Sequence, residues 1–483
     1  MRRLPWGALL ALVLILGAAV RVVAAIRKSL VLDEFHTWFH ATRPDLTAFF
    51  ETLRQDNHPP LGFLTVALAR RVLGSSELAL RTPALVFGAL ELGLLAWFGA
   101  RHFGRARGLA AAALLAVSSL HVDFSSQARM YALHSLAALV TLIAGHALLT
   151  RERVRGAQIV LALSLAVAFH THYFGGHYAL GYGVAAVALA AINPALRARL
   201  RRFIGPIAGA TLISLPWALM GFRAQLEHAL PPGGDDRSLA GLAEAFVHLF
   251  FLNVRLGGDD LRPAFIGAGL LVLILGALGT LAALRDPRRR TLGTLLATGA
   301  FLVPAFAWAV SHAMPRAGFT WHYVLPSAAP LALLAAIGAG EARAARLRQG
   351  AFAIAFGLAA LLTVLNVRTH GTEDFRGAVA GLLARLQPGD KVLSIEWQPP
   401  LFPQGQPYDY YAPRVMSAPP PRMAASNYSL TDPSDLDGAT RVLMLRKSLP
   451  SGQHVMKLLA EQFEISESEA HGYALDVIVW RRR

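Results

Sequence analysis

Apolar runs long enough to cross a bilayer recur near residues 4–26, 81–100, 108–122, 131–149, 156–170, 174–192, 203–221, 264–284, 291–311, 322–340 and 350–367. They predict about eleven membrane-spanning helices, several with soft ends because they fall short of the usual ~20 residues. The connectors alternate in character. One set carries Arg101, Arg105 and Arg107; Arg151, Arg153 and Arg155; Arg197, Arg199, Arg201 and Arg202; Arg285, Arg288, Arg289 and Arg290; and Arg343, Arg346 and Arg348. The other set is poor in Arg and holds most of the carboxylates and His. The positive-inside rule assigns the first set, with Arg2 and Arg3, to the cytoplasm. Residues 59–73 are apolar enough to suggest a further span, but counting one there would move every later Arg cluster outside. They are therefore expected to form an amphipathic helix at the outer interface, within an outer loop of residues 27–80.

After residue 367 the pattern changes. Pro388-Gly389-Asp390 precedes a strand-like Lys391–Ile395, a Pro-rich stretch covers 399–421, and Leu475–Trp480 again looks like a strand. This reads as an α-helical polytopic membrane unit, 1–367, followed by a small C-terminal periplasmic α/β domain, 368–483. No internal repeat is evident, which weakens a transporter built from inverted repeats.

Composition agrees. The 483 residues are 54% hydrophobic and 16% charged, with mean hydropathy +0.44; soluble chains carry about 25% charge. The net charge of +16 could suggest nucleic acid, but the Arg residues sit in short clusters between apolar runs, a topological pattern that excludes that partner. The absence of Cys removes thiol chemistry and disulfides. The first apolar run is long for a signal peptide and ends in Arg21 and Arg27-Lys28, so an uncleaved first helix with a cytoplasmic N-terminus is expected. The location implied is a bacterial inner membrane.

The first outer loop holds the richest chemistry. It opens with Asp33-Glu34, two adjacent carboxylates at a bilayer surface. Such a pair is costly beside apolar neighbours unless solvated, paired or used. One of them could act as general base toward an acceptor hydroxyl. The bland alternative is an acidic helix start favoured by the macrodipole. His36 and His40 are four residues apart and share a helix face. With Asp33 they could hold a metal, although interfacial packing beside Trp38 and Phe39 is the simpler account. His58-Pro59-Pro60 sets His58 at a helix N-terminus, a position suited to phosphate. Arg129, followed by Tyr131, lies outside the cytoplasmic Arg pattern and could hold a phosphate bidentately or snorkel to headgroups. His170, His172 and His177 cluster at another outer end, as do His312, Arg316, Trp321, His322 and Tyr323. Glu91 is an intramembrane acid, expected to be functional or paired.

Asp33-Glu34 after the first helix, His58-Pro59-Pro60-Leu61, Leu80-Arg81-Thr82-Pro83 and Gln127-Ala128-Arg129-Met130-Tyr131-Ala132-Leu133 occur in order. Together they resemble the GT-C-fold glycosyltransferases that use polyprenyl-phosphate sugars, the family of dolichyl-phosphate-mannose protein mannosyltransferases and aminoarabinose transferases. The likeness covers about residues 1–370. It implies inverting transfer from a polyprenyl-phosphate sugar donor to a periplasmic-side acceptor (protein, lipid or glycan) amid membrane lipids. Asp33 would be the catalytic acid–base residue, with Glu34 supporting it. His58, Arg129, Tyr131, Arg316 and His322 would line the donor phosphate. Relatives often carry an acid at the position of Gln127, and Arg-Tyr in place of His322-Tyr323. No cofactor is implied with certainty; a divalent cation is possible, but the missing acid leaves it unsupported. The reading from another class is a transporter or flippase for lipid-linked sugars.

Overall fold

The computed structural model describes residues 5–228, 237–251, 262–313, 319–340, 345–368, 373–395, 407–425, 436–447, 453–471 and 475–483. The first part runs α1 (Trp6–Arg27), α2 (Leu32–Ala41), α3 (Leu46–Leu53), α4 (Pro60–Leu73), α5 (Glu77–Phe103), α6 (Arg105–Ala116), α7 (Ser119–Ser125), α8 (Tyr131–Thr150), α9 (Arg155–Thr171) and α10 (Gly175–Ile192). Apolar helices continue over Pro194–Glu227, Phe265–Arg285, Arg290–Ala313, Trp321–Gly340 and Ala345–Arg368. Among the described residues nine helices are long and apolar enough to cross a membrane, or ten if a bent pair counts as one.

The predicted spans lie where the sequence puts them, with two differences. The 108–122 run is not one rod: α6 and α7 meet at 66°. Ser118 makes the break by capping α7, its Oγ accepting from His121 N at 3.2 Å. Thr363 Oγ1 donates to Val117 O at 2.8 Å, and Ser119 N to Phe250 O at 3.4 Å. A broken helix is tolerated at membrane depth because protein groups satisfy the freed backbone. The 156–170 run forms α9 of 17 residues, about 25 Å at ~1.5 Å per residue, short for a vertical crossing.

Residues 60–73 form an amphipathic helix separate from these spans, as the charge alternation requires. Pro60 starts α4 where its missing N–H costs nothing. The Arg-rich connectors gather at one end of the bundle. Arg202 donates to Leu148 O and Arg151 O at 3.1 and 2.7 Å. The Arg289 guanidinium lies 5.5 Å over the Phe103 ring, and Trp6 Nε1 donates to Arg105 O at 3.3 Å. Labelling of single cysteines in this Cys-free chain is thus expected to separate Arg71→Cys from Arg153→Cys. An impermeant maleimide should reach them from opposite faces of sealed vesicles; labelling of both from one face would break the topology.

Glu91 is fully buried and paired. It accepts from His121 Nε2 at 3.0 Å and Ser135 Oγ at 2.7 Å. Arg21, also fully buried, lies 2.7 Å from His121 Nδ1 and donates to Gly17 O and Ala116 O at 2.8 and 3.1 Å. Intramembrane charges persist when neighbours replace their hydration. This network joins α1, α5, α6, α7 and α8.

The C-terminal chain forms one five-stranded sheet, order β2-β1-β3-β5-β4. Its strands are β1 (Lys391–Ile395), β2 (Arg422–Ala425), β3 (Arg441–Lys447), β4 (Phe463–Ala470) and β5 (Leu475–Arg482). β1 pairs parallel with β2 and β3; β5 pairs antiparallel with β3 and β4. Alternation along β3 sends Leu443 and Leu445 to one face and Val442 and Met444 to the other. The first face joins Phe375, Tyr410 and Tyr411 to Leu30, Phe35, Val66 and Leu80, so the sheet layer and the α2–α5 region share one core. Phe35 meets Phe375 edge-on at 5.5 Å, Tyr411 donates to Glu77 at 2.7 Å, and Leu30 N donates to Tyr411 at 2.8 Å.

Candidate active site

Asp33 and Glu34 share the first turn of α2 but have opposite environments. Glu34 is fully buried. Its Oε1 accepts from Arg81 Nε at 2.8 Å and Ala128 N at 2.6 Å; its Oε2 accepts from Arg81 Nη2 at 2.6 Å and Val31 N at 3.0 Å. Four donors on two oxygens commit the carboxylate. That geometry suits Glu34 to supporting the site by position, since it joins α2, α5 and the 126–130 loop. Arg81 completes the joint by donating to Ala25 O, Lys28 O and Ser29 O at 2.6, 2.8 and 2.8 Å. It caps the open carbonyls at the end of α1. Nothing in the sequence but its place in Leu80-Arg81-Thr82-Pro83 marks it.

The Asp33 side chain is 62% exposed. Its Oδ2 lies 3.7 Å from Arg129 Nη2. Desolvation by surrounding protein pushes the Asp33 pKa up, but Arg129, then His36, His322 and His58, outweigh it and hold the carboxyl below its usual range. Asp33 is therefore an ionised, accessible carboxylate at neutral pH.

Arg129 is buried and is fixed by the first turns of α2. Its Nη1 donates to Asp33 O at 3.1 Å and Thr37 Oγ1 at 3.3 Å, and its guanidinium lies 5.7 Å from the Tyr131 ring centre. Burial lowers its pKa, but Asp33 and Tyr131 more than offset this and raise it; the guanidinium stays charged. Gly62 permits the approach of α4 to this loop: a Cβ there would lie 2.5 Å from Met130 Cβ. His58-Pro59-Pro60 and Arg129-Met130-Tyr131 thereby become neighbours.

His58 is held by its own turn: its N–H donates to Asp56 Oδ1 at 3.0 Å, and its Nδ1 lies 3.3 Å from the same oxygen. Burial lowers the His58 pKa, and Arg129 adds to this against the pull of Asp56. It presents a neutral ring, leaving Arg129 as the cation beside Asp33. The Tyr131 ring is edge-on to His322 at 5.0 Å and 5.6 Å from His172; His172 packs on Tyr323 at 4.7 Å and His58 at 5.7 Å. Residues from five stretches, 33–36, 58, 129–131, 172 and 322–323, thus converge. Arg316 lies outside the described residues. His170 and His312 do not join: His170 packs on Phe169 and His312 on Trp308. Gln127 donates to Asp123 Oδ2 at 2.7 Å, and Asp123 pairs with Lys28 at 2.8 Å.

His36 and His40 do converge, but not with Asp33. Their third partner is Asp56, whose Oδ2 lies 2.6 Å from His36 Nε2 and 2.7 Å from His40 Nε2. Asp33 lies on the same face, three residues before His36, but its side chain turns toward Arg129, with Oδ2 3.7 Å from Nη2.

A family model described as dolichyl-phosphate-mannose-protein mannosyltransferase matches residues 57–219. Among solved structures, the ArnT of Cupriavidus metallidurans bound to undecaprenyl phosphate is similar at 13% identity, covering 98% of this chain and 97% of that one, with a TM-score of 0.59. The oligosaccharyltransferase of Archaeoglobus fulgidus in complex with Zn and sulfate is similar at 12% identity, covering 89% of this chain and 67% of that one, with a TM-score of 0.50. No curated protein matches. The chain has the GT-C fold, and the resemblance drawn from its motifs is borne out.

Proposed function

We propose that the chain is an inverting membrane glycosyltransferase that moves a sugar from a polyprenyl-phosphate donor to an acceptor hydroxyl. The single observation that carries this reading is an ionised, exposed Asp33 beside the buried, charged Arg129. The Asp33 carboxylate takes the acceptor proton, the acceptor oxygen bonds to the anomeric carbon, and the carbon–phosphate oxygen bond breaks. The departing phosphate gains charge, which Arg129 stabilises from a position fixed before substrate arrives. Tyr131, His172 and His322 give that corner aromatic walls. A groove of about 980 Å3 is lined at one point by Phe169, Gly175 and Gly176, and Gly175 N donates to His172 O at 2.8 Å. It continues along Leu142, Leu165 and Ile207 toward Phe203, an apolar path suited to a polyprenyl chain.

The location that fits is a bacterial inner membrane, with the Arg-rich connectors and N-terminus cytoplasmic and residues 368–483 a periplasmic domain over the transmembrane unit 1–367. A transporter would use polar groups near the midplane. Arg21, Glu91 and His121, buried between the helices, bond to one another and to their helices, whereas the accessible carboxylate, Asp33, stands beside Arg129 in the segment after α1. That favours the enzyme.

The test is transfer of radiolabelled sugar from polyprenyl-phosphate donors in membranes containing the chain; no transfer from any such donor would remove the reading. Arg129→Ala is expected to raise the donor KM or lower kcat/KM by about 10–100-fold, the loss of charge-assisted hydrogen bonds worth ~1.5–3 kcal/mol, while the inserted amount stays near wild type. Unchanged donor kinetics would take Arg129 out of the site.

A further inference from the structure

We propose that His36, His40 and Asp56 bind one divalent transition-metal ion, with zinc the best chemical fit, as a clamp between α2 and the turn that starts α4. Their ligand atoms all lie within 4.8 Å of one another. Both imidazoles aim the same atom, Nε2, at one carboxylate oxygen, and the two Nε2 atoms are 3.3 Å apart. Zinc–ligand bonds of ~2.0–2.1 Å in a tetrahedron require edges of about 3.3–3.4 Å. The nitrogen–nitrogen edge already fits, and the two nitrogen–oxygen edges, 2.6 and 2.7 Å as hydrogen bonds, must open by about 0.6 Å when the ion replaces the shared proton. The helix supplies the nitrogen–nitrogen edge from its own geometry, because residues four apart stand one above the other.

The surroundings behave as a supporting shell. Asp56 Oδ1 accepts from Asn57 N at 2.5 Å and His58 N at 3.0 Å, and faces His58 Nδ1 at 3.3 Å. These bonds fix the carboxylate rotation and turn Oδ2 toward the two histidines. Such orientation of a ligand by neighbouring donors tunes metal affinity. His40 and Asp56 side chains are 0% and 1% exposed, while His36 at 21% leaves an entry path. Two imidazoles and one carboxylate form the borderline donor set that prefers zinc over calcium or magnesium. Three protein ligands leave a fourth position for water. With Nε2 on the ion, a neutral His36 carries its proton on Nδ1 and no longer accepts from Arg129, 3.4 Å away. Arg129 is then directed to Asp33, Thr37 and an incoming anion.

The experiment uses the full chain, purified in detergent through a tag without histidine, and titrated with Co(II) and then Zn(II) against a chromophoric chelator. The expected result is one ion per chain, a tetrahedral Co(II) visible band lost on zinc addition, and at least a tenfold weaker affinity in His36→Ala and Asp56→Asn. His312→Ala should bind as wild type. His36 is partly exposed, so its variant should fold, and its unfolding temperature in EDTA checks this. Absence of stoichiometric binding by wild type overturns the proposal, as does binding unchanged in folded His36→Ala. No donor or acceptor is present, so the result is independent of the transfer reaction.

Discussion

Asp33→Asn is expected to leave the chain inserted and folded while lowering sugar transfer by about 10²–10⁴-fold, the range a positioned general base contributes. The substitution keeps the shape and removes only the charge and the ability to take a proton. The exposure of the side chain, 62%, and the length of its ion pair with Arg129, 3.7 Å, limit the cost to stability, although Arg129 itself is buried and loses a carboxylate partner. Arg129 keeps its bonds to Asp33 O and Thr37 Oγ1, because a backbone carbonyl and a neighbouring hydroxyl are untouched. Donor affinity should thus change little, and the loss should fall on kcat. Membranes holding equal amounts of wild-type and variant chain, given the same labelled donor, decide the matter. Equal transfer would remove Asp33 from the chemistry; a variant that fails to accumulate would mean that the carboxylate chiefly stabilises the buried Arg129.

The legible and illegible parts of the chain separate on physical grounds. Spans were readable because apolar length and Arg bias act locally. Charge alternation alone separates residues 60–73 from the spans, and they form a helix of 14 residues. The α6–α7 break was not readable, since it depends on Ser118 and Thr363 meeting groups more than a hundred residues away. The same limit applies at the site. Asp33 and Arg129 stand out because each departs from its surroundings, a pair of acids directly after an apolar helix and an Arg outside the Arg-rich connectors. Glu34 stands out for the same reason, but its role depends on Arg81, 47 positions later. Periodicity puts His36 and His40 on one face; only the fold of 42–58 brings Asp56 to them, with Gln225 holding that loop by Leu53 O at 2.7 Å and His58 O at 2.8 Å. The shared core of α2 and the sheet was also hidden, because alternating apolar residues in β3 do not say what they will face.

Arg81→Ala should be the most destabilising single change in the outer half, about 3–5 kcal/mol, the cost of breaking a buried ion pair from one side. Arg81 is 1% exposed and Glu34 fully buried. The truncation strands a carboxylate and uncovers the Ala25, Lys28 and Ser29 carbonyls together. Glu34→Gln should cost less, because the amide oxygen still accepts from one side, although its NH₂ group must displace a donor. The pair is coupled, so Arg81→Ala with Glu34→Gln should lose less than the two single changes summed. Thermal unfolding in detergent measures all four proteins. A near-additive double variant would mean that Arg81 acts chiefly as the cap of α1 rather than through Glu34. Wild-type stability in Arg81→Ala would mean that the joint does not hold the loop, and Asp33 would need another source of its position. A loss of transfer in Glu34→Gln that tracks the unfolded fraction, with normal kcat in the remaining folded chain, is the signature expected of a positioning residue; a kcat loss in fully folded protein would return Glu34 to the chemistry.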